Sequence, residues 1–90
     1  MEIEEFMERI SQIKGVSEVR RYTLVNNYGV SFRKGGYTFD ARFMANCYGA
    51  ELNYWVLFAC DKFYKDGYKL YDKTKSAYDV AELIPTIESL

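Results

Sequence analysis

A chain of 90 residues can support one hydrophobic core, so it reads as a single domain spanning 1–90. Hydrophobic residues make up 49% and charged residues 28%, near the globular average; this argues against intrinsic disorder, and no apolar run approaches the roughly 20 residues of a membrane helix. The formal net charge is −1 and histidine is absent, which removes the usual zinc constellations, the Ser/His and Cys/His nucleophile pairs and the commonest general base.

Ile3, Phe6, Met7, Ile10 and Ile13 recur at steps of three and four, predicting an amphipathic helix over residues 2–14. Glu2, Glu4 and Glu5 at its start and Lys14 at its end suit the helix dipole, Glu5 and Arg9 are spaced to pair, and Gly15 supplies a left-handed terminator. Val16 to Val25, rich in Val, Thr and Tyr, predicts a first strand, with a turn at Asn26 and Asn27.

Tyr28, Val30 and Phe32 alternate with polar or glycine positions, and after Gly35-Gly36 so do Tyr37, Phe39, Ala41 and Phe43. A two-residue Gly-Gly turn would set Phe32 opposite Phe39, Val30 opposite Ala41, Ser31 opposite Asp40 and Gly29 opposite Arg42. Apolar then meets apolar and polar meets polar at every rung, and a slip of one residue would mix the faces.

Residues 46–51 read as a loop holding Cys47. Leu52 to Cys60 reads as an internal strand, apolar on both alternations, with Cys60 as a small buried hydrophobe. Asp66-Gly67 predicts a turn, with a short fifth strand at residues 68–72. Ser76 and Asp79 have the spacing of a capping box, so a second helix is expected from about Ala77 to Ile84, where Pro85 stops or kinks it.

The expected fold is therefore α+β: a single antiparallel sheet of four or five strands, with an N-terminal and a C-terminal helix packed on one face. Phe6, Ile10, Phe32, Phe39 and Val80 are expected to share the core.

Charge divides along the chain. Residues 1–14 hold four acids and two bases and residues 76–90 three acids and no base, whereas residues 15–75 hold ten bases and six acids. The helical layer is expected to be acidic and the strand region basic. Nine tyrosines are the outlier in composition, since so many phenols cannot all be buried without partners. Arg and Tyr are enriched at interface hot spots, which marks the open sheet face, with Arg33 and Arg42, together with Arg20, Arg21 and Tyr22, as a candidate partner-binding surface. The text KFYKDGYKLYDKTK over residues 62–75 adds Lys62, Tyr64, Lys69 and Tyr71, placed on one side of the last hairpin, with Phe63 and Leu70 on its core side. Such interleaving also suits bases and phosphates, or simply a solvated edge strand.

Catalysis is not expected. Cys47 lacks a histidine to activate it, and the carboxylate pairings Asp40/Glu51 and Glu51/Asp61 are isolated acids at arbitrary spacing. No catalytic, metal-ligating or cofactor-binding residue is assigned, and no cofactor is expected. Met1 to Glu5 carries glutamates where a secretory signal carries positive charge, so a cytoplasmic location is expected, away from membranes.

The order helix, strands, helix resembles double-stranded-RNA-binding domains in topology alone, since their second helix opens on a basic cluster where this chain has Ala77, Tyr78, Asp79 and Glu82. In size and in lacking catalytic residues the chain resembles the small inhibitors that phages and other mobile elements use against host defences, anti-CRISPR proteins among them. No motif carries that likeness. The expected function is a non-catalytic protein-binding module, an inhibitor or regulator of that kind; the alternative is a nucleic-acid-binding domain using the same basic, tyrosine-rich face. Self-association is also open, because an aromatic face and an edge strand are both adhesive.

Overall fold

The computed structural model describes residues 1–25, 27–47, 50–60 and 75–90. Its elements run α1 (Ile3–Ser11), β1 (Val16–Thr23), β2 (Asn27–Lys34), β3 (Tyr37–Cys47), β4 (Ala50–Ala59), β5 (Lys75–Ala77), a 3-10 turn (Val80–Leu83) and α2 (Ile84–Glu88). The five strands form one antiparallel sheet in chain order, so the α+β architecture is as expected.

α1 lays Ile3, Phe6 and Ile10 against the sheet, with Glu4 and Glu5 in its first turn and Arg9 in its last. It is shorter than the periodicity predicts. The N–H groups of Ile13 and Val16 bond three residues back, to Ile10 (3.0 Å) and Ile13 (3.1 Å), and these tighter turns, with Gly15 at φ +89°, carry the chain into β1. The Glu5–Arg9 pair is not made among the described residues; Glu4 instead meets Arg21 at 2.6 Å.

The β2–β3 hairpin has the predicted register, from Tyr28 opposite Phe43 to Arg33 opposite Thr38. Gly35 and Gly36 both have positive φ, as a tight turn matched to strand twist requires. β1 carries a bulge between Ser17 and Arg20, with Glu18 at φ +52°, and the expected turn residue Asn26 lies outside the described residues.

Three expectations are corrected. The loop at residues 46–51 is largely strand, since β3 runs through Cys47 and β4 starts at Ala50. Cys60 is exposed rather than buried, because it follows Phe58 on the face that no helix covers. The second helix does not open at Ser76 or Ala77, which pair with β4 as the fifth strand. Its cap is Asp79, whose side chain accepts from the Ala81 N–H at 2.9 Å while Glu82 accepts from the Asp79 N–H at 3.1 Å. A capping box ending in Glu outcompetes one ending in Asp because the longer side chain reaches back. Pro85 falls in the first turn of α2, where its missing N–H costs nothing, so the chain passes from 3-10 to α geometry there without a break. The expected strand at residues 68–72 and its Asp66-Gly67 turn lie outside the described residues.

One face of the sheet holds the core: Val30, Phe32, Phe39, Ala41, Trp55, Leu57 and Ala59 pack against Ile3, Phe6 and Ile10 of α1 and Val80, Leu83 and Ile87 of the C-terminal segment. Full burial of Phe6, Ile10, Phe32 or Leu57 stabilises by about 1.5–3 kcal/mol each. Lys34 ties the layers together, its ammonium donating to the carbonyls of Ile87 (2.8 Å) and Glu88 (2.9 Å) at the end of α2. Among the described residues no helix is long and apolar enough to cross a membrane.

Candidate functional site

The face of the sheet turned away from the helices is organised by its register. Tyr22, Gly29, Arg42 and Val56 stand in one row across β1 to β4, and Arg20, Ser31, Asp40 and Phe58 in the next. Gly29 leaves the space over which Tyr22 crosses β2. The Tyr22 hydroxyl donates to Asp40 Oδ1, Arg42 Nε donates to the Tyr22 hydroxyl at 2.8 Å, and Arg42 Nη2 donates to Asp40 Oδ2 at 2.9 Å. Three side chains from two strands, Tyr22 of β1 and Asp40 and Arg42 of β3, thus close a ring of hydrogen bonds across β2.

The guanidinium carbon of Arg42 lies 5.6 Å from the Tyr22 ring centroid and 5.0 Å from that of Phe58. Two ring faces and a carboxylate hold this cation in one orientation. Its side chain is 28% exposed, and Nη1 makes no hydrogen bond among the described residues.

Asp40 is 5% exposed, the one buried charged residue among those described. Burial raises its pKa, against the lowering effects of the Tyr22 hydrogen bond and the Arg42 charge. The Tyr22 phenol is pushed far above its ordinary range, first by burial and then by donating to Asp40. Burial alone would favour deprotonation of Arg42, but the Tyr22 bond and the Asp40 charge outweigh it and hold the guanidinium more firmly protonated. The cluster is therefore built to keep a cation in place.

Toward the β2–β3 turn, Arg33 donates to Thr38 Oγ1 (2.7 Å) and the Gly36 carbonyl (2.9 Å) and meets Glu18 at 3.5 Å. Glu18, Arg33 and Thr38 line, with Arg20 and Ser31, a shallow cavity of about 280 Å³. Arg20 is exposed and makes no ion pair among the described residues.

Of the sequence-marked residues, Arg20, Tyr22, Arg33 and Arg42 come together on this face. Arg21 does not: alternation turns it to the helical side, where it pairs with Glu4 and lies 6.0 Å over the Tyr28 ring. Lys62, Tyr64, Lys69 and Tyr71 lie outside the described residues, as does Asp61. Asp40 and Glu51 are not a carboxylate pair, for Asp40 stands opposite Phe58 and Glu51 opposite Asn46, six positions apart along β3 or roughly 20 Å. Sequence reasoning missed Phe58 as a wall of the Arg42 site and Gly29 as the space beneath Tyr22. An isolated glycine inside a strand is itself a signal of close approach.

Compared with known proteins, the chain matches no protein family, no curated protein and no solved structure.

Proposed function

We propose that this chain is a small non-catalytic module that binds an acidic patch on another protein through the open face of its sheet, as an inhibitor or regulator of the kind mobile elements direct at host machinery. The observation that carries this reading is Arg42, clasped between Tyr22 and Phe58 and fixed by Asp40. Arg and Tyr dominate interface hot spots, and a side chain already held in its bound geometry loses little entropy on association.

Charge supports the choice of partner. Glu18 is taken up by Arg33 and Asp40 by Arg42, which leaves Arg20 without an ion pair on this face among the described residues, while Glu4, Glu5, Glu8, Glu82 and Glu88 line the helical side. An acidic partner would be steered to the open face and repelled from the other. The non-catalytic reading is supported by the lack of histidine, the commonest general base.

The nucleic-acid reading draws on the same cation–aromatic stacking, which also suits bases and phosphates. Salt separates the two. With the partner in hand, log affinity against log salt should fall gently for a protein interface; a steep linear fall amounting to several released counterions would overturn the protein reading in favour of phosphate contacts.

A further inference from the structure

Met1, Leu24, Val25 and Tyr78 are the exposed large hydrophobic residues among those described, and Leu24 and Val25 stand side by side just beyond β1. There the Leu24 N–H donates to the Asn27 carbonyl at 2.7 Å, which draws β1 and β2 together and leaves the Val25 side chain 100% exposed. Single exposed aliphatic residues are ordinary. An adjacent pair where a hairpin reverses is not, since such positions favour Gly, Asn, Asp and Ser. Val25 buries nothing in this chain, so the fold gains nothing from it that a polar residue would not supply.

The pair continues the open face. Alternation from Tyr22 sets Leu24 on that side of the sheet, in a row with Asn27, Met44 and Tyr54, which stand opposite one another on β2, β3 and β4. The rows behind it hold first Arg42 and then Arg20, so the face is apolar at the hairpin end and cationic further in. Five residues separate Val25 from Arg20, a span of at most roughly 18 Å. That fits within the ~800 Å² that one partner of a standard interface contributes.

We propose that Leu24 and Val25 are the apolar anchor of the open-face interface, entering an apolar recess on the acidic protein that the arginines recognise; this role rests on the function proposed above. Charge complementarity selects that occupant, because the cations behind the anchor call for a surface that is apolar at one point and acidic beside it. Val25 suits the task. Its branched side chain is already restricted at χ1, so it loses little rotamer entropy when enclosed. A lipid bilayer is a poorer occupant, since two aliphatic side chains bury less than one myristoyl chain, itself only a marginal anchor. A second copy meeting this one apex to apex would bury far less than the ~1,200 Å² at which specific interfaces begin.

The full chain is immobilised and loaded with nuclease-treated extract of the source cell, and the protein that Arg20→Glu fails to hold is the open-face partner. Soluble parent, Val25→Ser and Val25→Leu then compete for it. Val25→Ser should need about tenfold more chain for half displacement, as the loss of one buried aliphatic side chain implies, while Val25→Leu stays within about twofold of the parent. Because Val25 is fully exposed, neither variant should change the melting temperature. Benzoylphenylalanine in place of Val25 should photo-cross-link to that same protein, and in place of Glu5 on the helical side it should not. Three results would overturn the anchor while leaving the Arg20-dependent partner standing: competition by Val25→Ser equal to the parent's, adducts at position 25 formed only with a second copy, or co-sedimentation with phosphatidylserine vesicles that Val25→Ser abolishes. If Arg20→Glu holds everything that the parent holds, the open-face function itself falls and the anchor with it.

Discussion

Tyr22 lies across Gly29 so closely that a Cβ on that glycine would sit 2.8 Å from the Tyr22 hydroxyl and would also collide with the Ala41 carbonyl oxygen. One neighbour is backbone and cannot turn aside. The glycine is therefore required for β2 and β3 to pair at this rung and for Tyr22 to reach Asp40 and Arg42 at the same time. Gly29→Ala should destabilise the fold by about 2 kcal/mol or more, read by urea denaturation, because the strain falls on the central strand pair. A variant as stable as the parent would mean that the strands can separate here at no cost.

Tyr22→Phe keeps the ring over Arg42 and removes only the hydroxyl. Asp40 then loses a donor in a buried site and Arg42 Nε loses its acceptor, at an expected cost of about 1–3 kcal/mol. Combined with Asp40→Asn in a double-mutant cycle, the two changes should couple by about 0.5–3 kcal/mol, since they break one network. Simple additivity would show that the hydrogen bonds of the cluster act separately.

Stability should depend on pH in a way that Asp40 and Asp79 pull in opposite directions. Burial raises the Asp40 pKa above its ordinary 3.8, so the fold prefers the neutral acid; its contribution is complete below that value and is lost as pH rises through the raised one. Relative to Asp40→Asn, the parent should thus lose stability as pH climbs above 3.8. Asp79 is lowered, first by the Ala81 N–H, so its contribution is present above 3.8 and is lost as pH falls through the depressed value. Asp79→Asn should flatten the acid limb of the curve. Thermal melts of the three proteins across the acid range check both signs.

Much of the fold was legible because the β2–β3 pattern admits a single register: Phe32 meets Phe39 and Val30 meets Ala41 only when Gly35-Gly36 makes the turn. The same alternation placed Arg33 and Arg42 on one face. It could not show that Tyr22 reaches across Gly29 to a carboxylate two strands away, because that contact depends on the pairing of β1 with β2, which a bulge at Glu18 shifts. The bulge also turns Arg21 to the helical side, where consecutive arginines read as one patch in the sequence. The start of the C-terminal segment was misread because Ser76 and Asp79 each begin a capping pattern, and local spacing does not tell which residues are claimed by β4.

Lys34 should matter more than an ordinary half-exposed lysine. Lys34→Met keeps the aliphatic stem and removes the donors to the Ile87 and Glu88 carbonyls, at an expected cost of about 1 kcal/mol. The loss should be local, with faster hydrogen exchange at the amides of Ser89 and Leu90 and unchanged protection in β2 and β3. Uniform loss of protection would mean that α2 and the sheet unfold as one unit.

The claim that the open sheet face is the binding surface is tested most directly by nuclease-treated affinity capture from the source cell with three forms of the chain. These are the parent, Arg20→Glu on the open face and Glu5→Lys on the helical face. Both substitutions fall on exposed side chains and should leave the melting temperature unchanged, since such positions contribute little to folding. The account predicts a protein partner that survives nuclease treatment, is retained by Glu5→Lys and is lost or strongly reduced with Arg20→Glu. Recovery of nucleic acid alone, or a protein partner that Arg20→Glu holds as well as the parent does, would contradict it.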